Sequence, residues 1–193
     1  MKVAIIKYNA GNVCSIYNAI NRLGIEPIIT DHSEQILTAD KIIFPGVGEA
    51  SSAMQYLKQH NLDSVIKDLK QPLLGICLGM QLLCRFSEEN NTPCLGIFNQ
   101  DIKKFTSSNK IPQIGWNSID TLSSELFKGI NNNEYVYFVH SYYAEISENT
   151  IAATDYGIKY SSALQKGNFY ATQFHPEKSG FIGSKIIENF INL

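Results

Sequence analysis

The sequence predicts an α/β fold: a parallel sheet with helices on both faces, followed by an antiparallel extension. Three observations carry this reading. The first half alternates short apolar runs of strand type with segments of helical period. At residues 73–84 an apolar run passes through Gly75-Ile76-Cys77-Leu78-Gly79 into residues that favour helix. The second half then changes character, with strand-like segments clustered one after another.

The elements follow in order. Residues 3–8 read as a strand and 9–12 as a turn. Residues 13–23 form a helix with Val13, Ile16, Ile20 and Leu23 on one face and Gly24 as its cap. Residues 27–30 are a second strand, 32–37 one helical turn, and 41–44 a third strand that ends in Pro45-Gly46-Val47-Gly48. One or two helices fill 49–69, and a strand over 73–76 enters the turn at Cys77. Strands separated by such helices imply right-handed crossovers, and ligands of parallel sheets bind at the carboxyl ends of the strands. The Pro45 loop and Cys77 both sit at such ends and are expected to be neighbours. Strand-like segments follow at 95–105, 134–143, 151–154, 159–164 and 169–174. Lys166-Gly167-Asn168 reads as a hairpin turn between the last two. These segments suggest an antiparallel sheet laid against the parallel half. A helix over 179–193 closes the chain, with Phe181, Ile182, Ile186 and Phe190 as core positions. Residues 1–193 read as a single domain.

Composition narrows the function classes. The chain has 193 residues, 44% hydrophobic and 18% charged, as expected of a globular protein with a real core. A net charge of −2 supplies no basic field for nucleic acid or an anionic membrane. The most apolar stretch, residues 72–84, is far short of the roughly 20 residues of a membrane span. The first residues are too short an apolar run for a secretory signal. The cysteines at 14, 77, 84 and 94 contain no C-x-x-C pair. Neither a zinc site nor a redox dithiol is suggested, and reduced thiols in a cytoplasmic protein are the simplest account.

One constellation carries chemistry. A strand that turns sharply into a helix holds its central residue strained and exposed, and needs small neighbours. Cys77 then sits where the helix dipole and free N–H groups favour a thiolate, and the N–H of Leu78 points at an oxyanion formed on attack. A plain buried cysteine in a strand–helix turn fits the segment alone. A nucleophile needs a base and an orienter. His175 and Glu177, two apart in Gln173-Phe174-His175-Pro176-Glu177, point the same way in extended chain. Taken with Cys77 they supply nucleophile, general base and orienter. Taken alone, the segment is an ordinary loop start. His140 and Ser141, at a strand end among aromatics, read as a pocket wall that holds a polar substrate, or as packing. The glycines of 45–48 allow a second oxyanion donor or merely a tight turn. Gln81, one helical turn after Cys77, binds a substrate amide or carboxylate, or is exposed. Cys84 reads as core filler, and His32 and His60 receive no role.

Taken together, residues 75–81, 45–48 and 175–177 resemble the class I glutamine amidotransferases, and the likeness runs from the first strand to the last helix. The blocks at 111–117, 137–142 and 173–180 are most similar to the glutaminase subunits that serve histidine biosynthesis. The resemblance implies a flavodoxin-like fold, no metal or other cofactor, and hydrolysis of glutamine to glutamate and ammonia through a thioester on Cys77. It implies His175 and Glu177 as the other triad members, and Leu78 with Val47 or Gly48 as oxyanion-hole donors. It implies Gly46 and Gln81 as substrate-binding positions, which His140 and Ser141 join as the pocket wall read above. It also implies a separate (β/α)₈-barrel cyclase partner, in a heterodimer, that makes imidazole glycerol phosphate and AICAR. Asn12 and Lys178 match positions near that interface. Gln113, where the family more often has histidine, and Glu49-Ala50-Ser51-Ser52 depart from the common pattern. A glutaminase serving another synthase and a catalytically dead scaffold are the rival readings. An α/β-hydrolase is a weaker rival, because there the acid precedes the histidine.

Overall fold

A computed structural model describes residues 1–8, 13–106 and 110–193. The first half is β1 (Val3–Ile6), α1 (Val13–Asn21), β2 (Ile28–Thr30), α2 (Ser33–Leu37), β3 (Lys41–Gly46), α3 (Ala50–Gln59), α4 (Leu62–Asp68), β4 (Leu73–Cys77) and α5 (Leu78–Leu83). The second half is β5 (Phe86–Ser87), β6 (Thr92–Pro93), β7 (Asp101–Lys104), β8 (Gln113–Ile119), β9 (Glu134–His140), β10 (Tyr142–Ala144), β11 (Thr150–Asp155), β12 (Lys159–Lys166), β13 (Phe169–Thr172) and α6 (Gly180–Ile191).

The expected turn over residues 9–12 lies outside the described residues. The parallel strands run in the order β2-β1-β3-β4-β13. Their alternating side chains feed two cores, as helices on both faces require. Ala4, Ile6, Ile42 and Phe44 pack beneath α2 to α5, while Val3, Ile5, Ile43 and Ile76 pack against α1 and α6.

Three expectations for the second half are corrected, and one strand is added. The antiparallel strands are mostly not laid against the parallel half: they continue its edge through β13-β12-β10-β7-β5-β6 in one 11-stranded sheet. The joint is β13, parallel to β4 and antiparallel to β12. Only β8 and β9 pair separately, in a two-stranded sheet. Strand β8 has no counterpart in the sequence reading, because Gly115 (φ 127°) and exposed Ile114 and Trp116 break the pattern of a half-buried strand. The strand expected over 95–105 occupies only its last residues. Phe181 is not a core residue; it is 83% exposed. The buried stripe of α6 is Gly183, Ile186, Ile187, Phe190 and Ile191, and Phe181 stands two residues before it, roughly 200° round the helix. Ile182 is partly buried against that core.

Candidate active site

The parallel register builds the site. Gly46 pairs with Cys77 across β3 and β4, so the Pro45 loop does adjoin the cysteine turn. Thr172 pairs with Ile76 across β13 and β4, so the chain leaving β13 emerges beside Cys77 and carries His175 to it.

Cys77 has φ 55° and ψ −108°, a strained conformation for a residue with a β-carbon. The glycines around it are required by contact. A Cβ on Gly79 would lie 1.9 Å from the Phe44 carbonyl oxygen, and one on Gly46 would lie 2.2 Å from the Tyr8 hydroxyl and 2.8 Å from the Leu78 Cβ. Leu78 opens α5, where an N–H has no partner within the helix.

His175 is 2% exposed and its Nδ1 lies 2.8 Å from Glu177 Oε1. The turn that carries them is pinned. The His175 N–H donates to the Tyr137 carbonyl, and the Ser179 hydroxyl donates to the His175 carbonyl while accepting from the Tyr137 N–H. Helix α6 seats against this turn at Gly183, where a Cβ would lie 1.9 Å from the Pro176 carbonyl oxygen. Burial opposes charge on His175, but Cys77 and then Glu177 more than offset it and hold the imidazolium up to about 10. Its Nε2 is buried with no hydrogen-bond partner, as is Glu177 Oε2. An imidazole held by a carboxylate at one nitrogen, with the other free beside a thiol, is equipped to exchange a proton with that thiol.

A cavity of about 320 Å³ opens in front of Cys77. Of the sequence-predicted residues, Val47, Gly48, Leu78, Gln81, His140 and Ser141 line it beside Cys77. Gly46 does not reach it; it is buried between Tyr8 and Leu78. His175 and Glu177 lie outside the lining, His175 interacting with Cys77. Gln81 is 5% exposed, so the exposed alternative for it falls. Its Nε2 donates to Gln173 Oε1 at 3.0 Å and to the Tyr142 carbonyl at 3.2 Å. His140 is buried with Nδ1 2.8 Å from the same carbonyl and Nε2 3.2 Å from the Tyr160 hydroxyl. Burial lowers it to about 4, against the Tyr142 bond and helped by charge on His175, so it is neutral. A neutral ring facing a carbonyl carries its proton on Nδ1.

Pro112, Val139, Tyr142 and Glu89 also line the cavity without having been singled out as site residues, and Glu89 is the carboxylate among them. Its Oε2 accepts from the Ala50 N–H at 2.8 Å. Burial raises its carboxyl above the ordinary value, opposed by that bond and reinforced by Glu49. An acidic pair at 88–89 was the only signal, and among 18 Asp and Glu residues nothing singled it out. The departures from the common pattern have structural roles. Glu49 caps α3, accepting from the N–H groups of Ser51 and Ser52, and receives the Asn90 amide. Gln113 Oε1 accepts from the Tyr160 hydroxyl at 2.9 Å. Lys178 is exposed, its ammonium 5.9 Å from the Tyr137 ring centroid, and Asn12 lies outside the described residues. Cys84 is fully buried, and burial pushes its thiol above the ordinary value, as core filler requires.

Comparison with known proteins gives a consistent picture. A family described as "Glutamine amidotransferase class-I" matches residues 4–193. A protein of Bacteroides fragilis named imidazole glycerol phosphate synthase subunit HisH is 59% identical, covering 100% of both chains. One of that name, numbered 1, in Methanococcus maripaludis is 47% identical over 99% of each. Among solved structures, a putative GMP synthase subunit from Thermoplasma acidophilum superposes with a TM-score of 0.77 at 19% identity, covering 100% of this chain and 92% of the other. PurLQS from Thermotoga maritima gives 0.75 at 16%, covering 99% and 97%. At such identities these two speak for the fold alone.

Proposed function

This chain belongs to the class I glutamine amidotransferases, and on that premise we propose that it hydrolyses glutamine to glutamate and ammonia with Cys77, His175 and Glu177 as the triad. The observation that carries the reading is the strained Cys77 opening on a cavity, with a carboxylate-held histidine interacting with it. Cys77 attacks the side-chain amide carbon as thiolate, its proton resting on His175. The oxyanion forms beside the N–H groups of Leu78 and of Val47 or Gly48. His175 gives its proton to the leaving nitrogen, the C–N bond breaks, and ammonia departs. Water, relieved of a proton by His175, then adds to the thioester, the C–S bond breaks with its electron pair on sulfur, and glutamate leaves. Free glutamine also carries an ammonium group. Glu89, a partly buried carboxylate on the cavity wall, suits it, while Gln81, His140 and Ser141 frame the rest.

The full-length likeness to proteins named imidazole glycerol phosphate synthase subunit HisH supports service in histidine biosynthesis. The ammonia passes to a separate (β/α)₈-barrel cyclase, which makes imidazole glycerol phosphate and AICAR. Exposed Ile111, Ile114 and Trp116, on the segment that carries Pro112 of the cavity wall, supply apolar surface for such a partner. One sheet running through both halves supports a single domain over 1–193. Among the described residues no helix is long and apolar enough to cross a membrane, which suits cytoplasmic work. The test is glutamate release from glutamine, with and without the cyclase and its ribonucleotide. Strong stimulation by that pair supports the reading. Activity indifferent to the pair keeps the chemistry and overturns the pathway, and no activity in either case overturns both.

A further inference from the structure

The residue pressed against the Cys77 sulfur from inside the sheet is Gln173. It is fully buried, and its Nε2 lies 3.7 Å from Cys77 Sγ. Its orientation is determined by a chain of one-way contacts. The Tyr142 carbonyl can only accept, so the Gln81 amide turns its NH₂ end toward it at 3.2 Å. That same NH₂ reaches Gln173 Oε1 at 3.0 Å. The opposite orientation of Gln173 would set two NH₂ groups face to face. Its own NH₂ end is therefore left facing sulfur. Its backbone N–H is also tied, to the Ser162 carbonyl at 2.8 Å.

We propose that Gln173 is a positioning residue for the nucleophile: its side-chain amide, held by Gln81, donates to the Cys77 sulfur and favours the thiolate. This deepens the glutaminase reading and rests on it. An N–H aimed at sulfur stabilises the charged form, which is the form that attacks. The same contact assists thioester hydrolysis, where the electron pair of the breaking C–S bond returns to sulfur. It also links substrate and nucleophile, since Gln81 lines the cavity and orients Gln173. A side chain needed only to fill space would be replaced by leucine without consequence for the thiolate.

The experiment is alkylation of the full chain by iodoacetamide across pH, read at the Cys77 peptide by mass spectrometry so that exposed Cys14 does not interfere. Titratable groups around the sulfur are His175 and Glu177 after β13, Tyr8 after β1, His140 ending β9 and Glu89 across the cavity. All remain in Gln173→Leu. That variant should move the profile to higher pH by about one unit, with labelling at neutral pH about tenfold slower. An unmoved or lowered profile in a folded variant overturns the proposal. Should leucine prevent folding, Gln173→Glu keeps the volume and the acceptor for Gln81 but removes the donor; it should shift the profile upward at least as far, and an unmoved profile there overturns the proposal equally. Labelling needs no glutamine. Failure of the wild type to release glutamate would fell the glutaminase reading and leave this measurement interpretable.

Discussion

Two buried histidines border the same site, one charged and the other neutral. His175 follows β13 with a carboxylate at one nitrogen and a thiol near the other, and these hold it charged up to about 10 against its burial. His140 ends β9 between a carbonyl and a phenol, and burial lowers it to about 4. Burial alone therefore says little about what a histidine does. A carboxylate turns a buried ring into a proton carrier, and a carbonyl turns it into a fixed donor that shapes a wall.

The largest effect that tests this division is loss of turnover. Cys77→Ala should abolish glutamine hydrolysis while leaving partner binding intact. His175→Ala should lower kcat by about 10³-fold or more, whereas His140→Ala should cost about tenfold, chiefly in KM. Equal losses in steady-state kinetics would erase the distinction. Next, Glu177→Gln keeps the shape but removes the carboxylate that, after Cys77, holds His175 charged, and should lower kcat about a hundredfold. A variant as active as wild type would show that the carboxylate is dispensable.

Stability against pH separates the histidines by sign. His175 is raised above the ordinary 6.5, so its contribution is full below 6.5 and is lost as pH rises through about 10. His140 is lowered, so its contribution is full above 6.5 and is lost as pH falls through about 4. Denaturant melts of wild type should lose on the order of 2–3 kcal/mol more between pH 7 and 4 than melts of His140→Gln. Parallel curves would mean that His140 is not held neutral. The smallest effect lies away from both rings. Glu49→Ala removes the cap of α3 and should cost about 1 kcal/mol in urea unfolding, with kcat unchanged.

The strands and helices of the first half were legible because β1 and β3 are short, continuously buried apolar runs while α1 carries an apolar face of period 3.6. The Cys77 turn was legible because the Phe44 backbone at Gly79, and the Tyr8 and Leu78 side chains at Gly46, leave no room for a β-carbon, so the sequence shows glycine there. Phe181 misled because a helix start of uncertain phase lets an exposed aromatic pass for a core one. β8 escaped because Ile114 and Trp116 face outward.

By itself the sequence determined the parallel half, the elbow and the residue types of the triad, all properties of local chain geometry. Only the tertiary structure decided which residues meet. The insertion of β13 beside β4 brings His175 to Cys77 across 98 positions of chain, and the 89–91 turn packed against α3 puts Glu89 in the cavity wall. The same packing makes Gln173 face sulfur and leaves one histidine charged and the other neutral. Those outcomes depend on contacts between segments far apart in sequence, and a sequence pattern has no term for what a side chain will find opposite it.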